Sequence, residues 1–198
     1  MSGRVGIIDR ETRETLIRVR LELDGGPRED VSTGLPFFDH VLTQIARHGR
    51  IGLEVAARGD VEVDAHHLTE DLGIALGQAL DGALGERRGI ERFGAATIPL
   101  DETLVEVVVD LSGRPGAWVA LEGERGLLLG SPGVALEHVE EFLWGLARGG
   151  RLTLHVRSIR GANTHHQIEA MAKALGRALA QATAVSGGGE IPSTKGSL

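Results

Sequence analysis

The sequence predicts an α+β protein built from two related halves. Three observations carry this. His-His-x-x-Glu occurs twice, at His66-His67-Leu68-Thr69-Glu70 and at His165-His166-Gln167-Ile168-Glu169, 99 residues apart. Further matches follow in the same order: Glu14-Thr15-Leu16 with Glu102-Thr103-Leu104, Asp39-His40-Val41 with Glu137-His138-Val139, and Ala75-Leu76-Gly77 with Ala174-Leu175-Gly176. Each half also passes from strand-like to helix-like patterning. One match could be chance; several in order make a tandem duplication. Two copies of this length are not a solenoid, so the chain reads as one domain, 1–198. It has repeats at about 10–90 and 93–185 and a C-terminal tail.

Ile17, Val19, Leu21 and Leu23 alternate with Arg18, Arg20 and Glu22, the pattern of a half-buried strand. Leu104 to Leu111 is its more apolar counterpart. Pro36 suits a helix start, with Phe38, Val41, Leu42 and Ile45 on one face; Leu136 to Leu146 matches it. Ile51–Val55 and Leu152–Val156 read as strands. The Ala- and Leu-rich stretches 66–84 and 165–184 read as long helices. Gly77 and Gly176 sit inside them at equal register, where close helix packing explains a residue that costs ~1 kcal/mol relative to Ala. Gly187-Gly188-Gly189 is expected to open a mobile tail.

Composition removes several function classes. There is no cysteine, so disulfides, thiolate metal sites and cysteine nucleophiles are excluded together. With 41% hydrophobic and 25% charged residues the chain has material for a core and is not of disordered composition. A net charge of −7 argues against nucleic acid as the main partner. No apolar run nears the roughly 20 residues of a membrane helix, and the N-terminus lacks a secretory pattern. A cytoplasmic protein with no membrane or nucleic-acid partner is expected.

Eight histidines remain, four of them in two adjacent pairs. Residues three and four apart share a helix face, so Glu70 neighbours both His66 and His67. Adjacent histidines diverge by about 100° around a helix, which suits two metals better than one. With His40 and His138 upstream, six His and two Glu could serve two metals and leave positions open for substrate. A single histidine is more often a core or surface residue; duplication of the whole constellation favours metal. Imidazole and carboxylate suit Zn, Fe, Ni or Mn, and open octahedral sites favour Mn(II). The zincin spacing is absent.

The motifs Arg13-Glu14-Thr15, Thr33-Gly34-Leu35-Pro36-Phe37-Phe38-Asp39-His40, His66-His67-Leu68-Thr69-Glu70-Asp71, Gly89-Ile90-Glu91-Arg92-Phe93-Gly94, Asp110-Leu111-Ser112-Gly113-Arg114-Pro115, Asn163-Thr164-His165-His166-Gln167-Ile168-Glu169-Ala170 and Pro192-Ser193-Thr194-Lys195-Gly196 resemble those of the imidazoleglycerol-phosphate dehydratase family. The resemblance spans nearly the whole chain. Leu68, where Thr is common, and Ala172, where Phe is usual, depart from it mildly.

The resemblance implies a ribosomal S5 domain 2-like repeat with helices packed between mixed sheets. It implies dehydration of D-erythro-imidazole glycerol phosphate to imidazole acetol phosphate in histidine biosynthesis, through a metal-bound imidazolate and a diazafulvene-like intermediate. It implies two Mn(II), or other divalent ions, held by His40, His66, His67, Glu70, His138, His165, His166 and Glu169. Glu14 is the expected proton-transfer residue, with Glu169 beside the reacting carbons. Gln44 and His48 match substrate-contacting positions, and Arg92, Arg114, Lys173, Ser193, Thr194 and Lys195 the phosphate side. The tail is expected to close over phosphate as a lid. Trimers assembling into a 24-subunit shell, with sites at subunit contacts, are also implied. Glu102 and His155 are read as structural. A di-metal phosphatase and a non-catalytic metal-binding protein are the competing functions.

Overall fold

The computed structural model describes residues 3–196. The first half comprises β1 (Val5–Glu11), β2 (Thr15–Glu22), β3 (Arg28–Ser32), α1 (Pro36–Gly49), β4 (Gly52–Gly59) and α2 (His66–Leu84). The second repeats the order with β5 (Phe93–Leu100), β6 (Thr103–Asp110), β7 (Gly116–Ala120), α3 (Leu136–Gly149), β8 (Thr153–Arg160) and α4 (Thr164–Ala182). The sheets are mixed and share one topology, β1-β2-β4-β3 and β5-β6-β8-β7, with the last pair parallel in each. This is the expected duplicated α+β architecture.

The sequence patterns account for the central elements. In β2 the alternation puts Ile17, Val19 and Leu21 inward; in β6 it puts Val105, Val107 and Val109 inward. Pro36 opens α1, and the Asp39 carboxylate takes both the Thr33 N–H (2.8 Å) and hydroxyl (2.5 Å), fixing the entry loop. The edge strands were not signalled. β1 starts at Val5, ahead of the expected repeat boundary, and β3, Arg-Glu-Asp-Val-Ser, carries only one apolar residue. Edge strands with one solvated face need little apolar material.

Helices fill the space between the sheets. α2 lies on β1 and β2, α4 lies on β5 and β6, and the halves meet through α1 against α4 and α2 against α3. Backbones nearly touch there. A Cβ on Gly176 would sit 2.5 Å from the Ile45 carbonyl oxygen, and one on Gly77 2.5 Å from that of Leu146. Mid-helix glycine is therefore a packing requirement, as expected. The outer sheet faces are left open: His155 stacks on Trp118 at 4.7 Å between centroids, and Trp118 is exposed.

The C-terminal tail is held by backbone hydrogen bonds. After α4 it folds back along 89–92: Ser186 N–H bonds the Gly89 carbonyl (2.7 Å), Gly89 N–H bonds that of Glu190 (2.8 Å), and Val185 bridges to Ile90. The three glycines lie within an anchored return. Among the described residues no helix is long and apolar enough to cross a membrane.

Candidate active site

The α1–α4 contact brings two rows of polar side chains together. His40, Gln44 and His48 recur every four residues on α1; His165, Glu169 and Lys173 do so on α4. At the N-terminal end of α4, ligand atoms of His40, His165 and Glu169 lie within 4.8 Å of one another. His165 Nε2 is 3.1 Å and His40 Nε2 3.6 Å from Glu169 Oε2. Two imidazoles and a carboxylate converging on one point form a donor set for a divalent transition metal. Phe37 backs this trio, 5.2 Å from the His165 ring. Sequence order places His40 before His66 and His67; the packing pairs it with the other half.

Electrostatics support an ionised carboxylate in the trio. Burial works to raise the Glu169 carboxyl, but the Lys173 ammonium at 2.8 Å, with His165 and His40, outweighs it and holds the group below the usual range. Further along, burial and the Lys173, Arg177 and Arg47 charges depress the His48 imidazole, so it is neutral at pH 7.

The first half supplies a related but looser arrangement. His66 Nε2 lies 3.7 Å from Glu70, one turn away. His138 enters from α3: its Nδ1 accepts from the Ala135 N–H (3.1 Å), and its Nε2 meets Asp64 at 2.9 Å. A metal at that nitrogen has to replace Asp64.

Within each pair the rings are nearly perpendicular, at 81° for His66 and His67 and 87° for His165 and His166. The second histidines therefore face elsewhere. His67 Nδ1 lies 3.1 Å from Asp60 and 3.8 Å from Glu14; His166 Nδ1 lies 2.8 Å from Glu102. The helix starts fix these directions, since Asn163 accepts the His166 N–H (3.1 Å) and Asp64 the His66 N–H (3.2 Å).

A separate cationic group forms beyond the far end of α4. The Arg92 guanidinium bonds Asp110 (2.7 Å) and the Pro192 carbonyl (2.8 Å), and Arg114 reaches the same Asp110 at 3.9 Å. This holds the tail beside both arginines, with Ser193, Thr194 and Lys195 following, the last two exposed. Lys173 is not in this group; it sits with Glu169.

The family model for imidazoleglycerol-phosphate dehydratase matches residues 33–179. An imidazoleglycerol-phosphate dehydratase of Thermus thermophilus is 54% identical, covering 98% of this chain and all of that protein. The Acidithiobacillus ferrooxidans enzyme is 50% identical over 100% of this chain and 99% of its own. The chain belongs to the imidazoleglycerol-phosphate dehydratase family. It is thereby a hydro-lyase. Among solved structures, the Pyrococcus furiosus dehydratase superposes with a TM-score of 0.81 at 38% identity, covering 96% of this chain and 100% of that one. The Staphylococcus aureus enzyme gives 0.80 at 36%, over 91% and 99%.

Against this dehydratase fold, sequence reasoning missed three carboxylates: Asp60 at His67, Asp64 at His138 and Asp110 between the arginines. Asp110 begins a motif that was legible and Asp64 lies two residues before another, but their roles depend on contacts across the fold. Asp60 has a measurable consequence. Its hydrogen bond raises the His67 pKa above the ordinary 6.5, outweighing the opposing effect of burial, with a lesser contribution from Glu14. In the metal-free protein, imidazole NMR should show His67 losing its proton above pH 6.5 and His48 below it. Asp60→Asn should move the His67 midpoint down and leave that of His48 in place. An unmoved His67 midpoint excludes Asp60 as the cause.

Proposed function

We propose that this dehydratase removes water from D-erythro-imidazole glycerol phosphate to give imidazole acetol phosphate, in the cytoplasm and in histidine biosynthesis, with two Mn(II) ions at the imidazole ring. The gathering of His40, His165 and Glu169 is the observation that supports metal use most directly. His66, Glu70 and His138 offer a second set in the related half, and His67 and His166 present further nitrogens. Bound at the two ring nitrogens, the ions would lower the ring N–H pKa and favour the electron-rich imidazolate that can expel the neighbouring hydroxyl.

The chain's own residues supply the rest. Loss of the hydroxyl as water leaves a diazafulvene-like ring, and a proton must then leave the adjacent carbon. Glu14, exposed beside His67, is the group for that transfer. The resulting enol takes a proton at the ring-side carbon and becomes the ketone. Gln44 and His48, which follow His40 along one face of α1, would contact the substrate. Arg92, Arg114, Ser193, Thr194 and Lys195 hold phosphate, with the arginine forks suited to its oxygens. Lys173 steadies Glu169.

This geometry also favours sites shared between copies. Arg92 N–H bonds the carbonyl of Ala182, and thirteen residues of α4, about 20 Å of helix, separate Ala182 from Glu169. A substrate whose ring is held at the trio, with only a three-carbon chain between ring and phosphate, does not span that length. His67 and His166 likewise face away from the trio. A homo-oligomer, built as trimers in a 24-subunit shell, brings one copy's outer histidines and arginines to another's trio.

The deciding assay is ketone formation from imidazole glycerol phosphate by chelated protein, before and after Mn(II) is added. Activity should vanish on chelation and return with the metal. His165→Ala and His66→Ala should each lose bound Mn(II). Full turnover without metal overturns the metal-dependent route; phosphate release without ketone favours a phosphatase.

A further inference from the structure

We propose that Glu102 is a positioning residue for His166, holding its Nδ1–H so that Nε2 is presented as the ligand atom, the task Asp60 performs for His67. The inference rests on the metal reading above and extends it to a residue outside the ligand set.

A neutral imidazole has one N–H and one lone pair, and an ionised carboxylate only accepts hydrogen bonds. Glu102 Oε2 at 2.8 Å from His166 Nδ1 therefore places the proton on Nδ1 and the lone pair on Nε2. Asp60, with both oxygens at 3.1–3.2 Å from His67 Nδ1, selects the same tautomer. Carboxylates in this position fix ring direction and raise the basicity of the ligating nitrogen.

The two carboxylates are not counterparts in the repeat. Asp60 directly follows β4. The residue directly following β8 is Gly161, at φ 99°, where a Cβ would lie 2.7 Å from the Thr103 Cα. No aspartate fits there. Glu102 reaches His166 from the β5–β6 turn instead, steadied by the Thr103 hydroxyl at 2.9 Å. The counterpart of Glu102 is Glu14, in the β1–β2 turn. With Asp60 already on His67 Nδ1, Glu14 stands off at 3.8 Å. The duplicated glutamate has thus divided its labour: one copy orients a histidine, and the other is released for proton transfer.

The test is Mn(II) binding to the full assembled protein, read from the EPR signal of the free aqua ion. It compares wild type with Glu102→Gln, Glu102→Ala and Glu14→Gln, and metal-free melting checks each fold. Glu102→Ala should weaken one class of site about 10- to 100-fold. Glu102→Gln keeps an acceptor without the charge, should fall between, and carries the test if the alanine variant does not fold. Glu14→Gln removes a carboxylate that stands off His67 at 3.8 Å instead of one bonded to a ring nitrogen at 2.8 Å, and should weaken binding less than Glu102→Gln does. Unchanged affinity in folded Glu102 variants overturns the positioning role alone. Wild type that binds no Mn(II) overturns the metal reading and this inference with it.

Discussion

Glu14→Gln should cut turnover about 10²–10⁴-fold while leaving the fold and Mn(II) content intact. The side chain is half exposed, and the turn that carries it is fixed by Thr12, whose hydroxyl accepts the Glu14 N–H (3.2 Å) and the Thr15 N–H (3.0 Å). Among the described residues no lysine or arginine forms an ion pair with it, and its one ionic neighbour, His67 at 3.8 Å, keeps the closer Asp60 carboxylate. Gln is nearly isosteric but takes up no proton at neutral pH. A positioned acid–base group contributes about 10²–10⁴-fold, or roughly 3–5.5 kcal/mol of barrier. We expect kcat to fall by that factor, KM to move little, and thermal stability and Mn(II) content to match wild type. A variant that retains turnover within a fewfold of wild type removes Glu14 from the proton pathway.

The contrast with Glu102 shows what a sequence discloses and what it withholds. Duplication was legible because it acts on order and spacing; strand alternation followed from periodicity, and the long helices expected over 66–84 and 165–184 from their Ala and Leu content run His66–Leu84 and Thr164–Ala182. The eight histidine and glutamate candidates were legible because their types and repeats exceed structural need. Partnership was not. His40 lies in the first half yet meets His165 and Glu169, because the helices pair across the halves. Repeat order alone does not say which pair it joins. Glu102 looked idle because nothing local ties a turn residue to a helix start 64 positions away. The edge strands β1 and β3 escaped for a simpler reason: their sequences carry only part of the alternation that burial imposes on β2 and β6.

The crosswise pairing depends on how near α1 can approach α4, and Gly176 sets that distance. A Cβ there would lie 2.5 Å from the Ile45 carbonyl oxygen and 2.8 Å from the Gly49 nitrogen, with backbone on both sides. No flexible side chain can yield, so the helices must separate. Overpacking of this kind costs about 3 kcal/mol, against about 1 kcal/mol returned by replacing a mid-helix glycine with alanine. Gly176→Ala should therefore lose about 2 kcal/mol in denaturant unfolding. It should also weaken Mn(II) binding, because Glu169 and His165 ride on the displaced helix while His40 rides on the other. Gly188→Ala, where a Cβ meets nothing within 4 Å, is the control; it should change stability by no more than about 0.5 kcal/mol. Gly176→Ala with wild-type stability and metal affinity would mean that the helices can move apart without disturbing the trio, and the approach of α1 to α4 would no longer explain how the site is assembled.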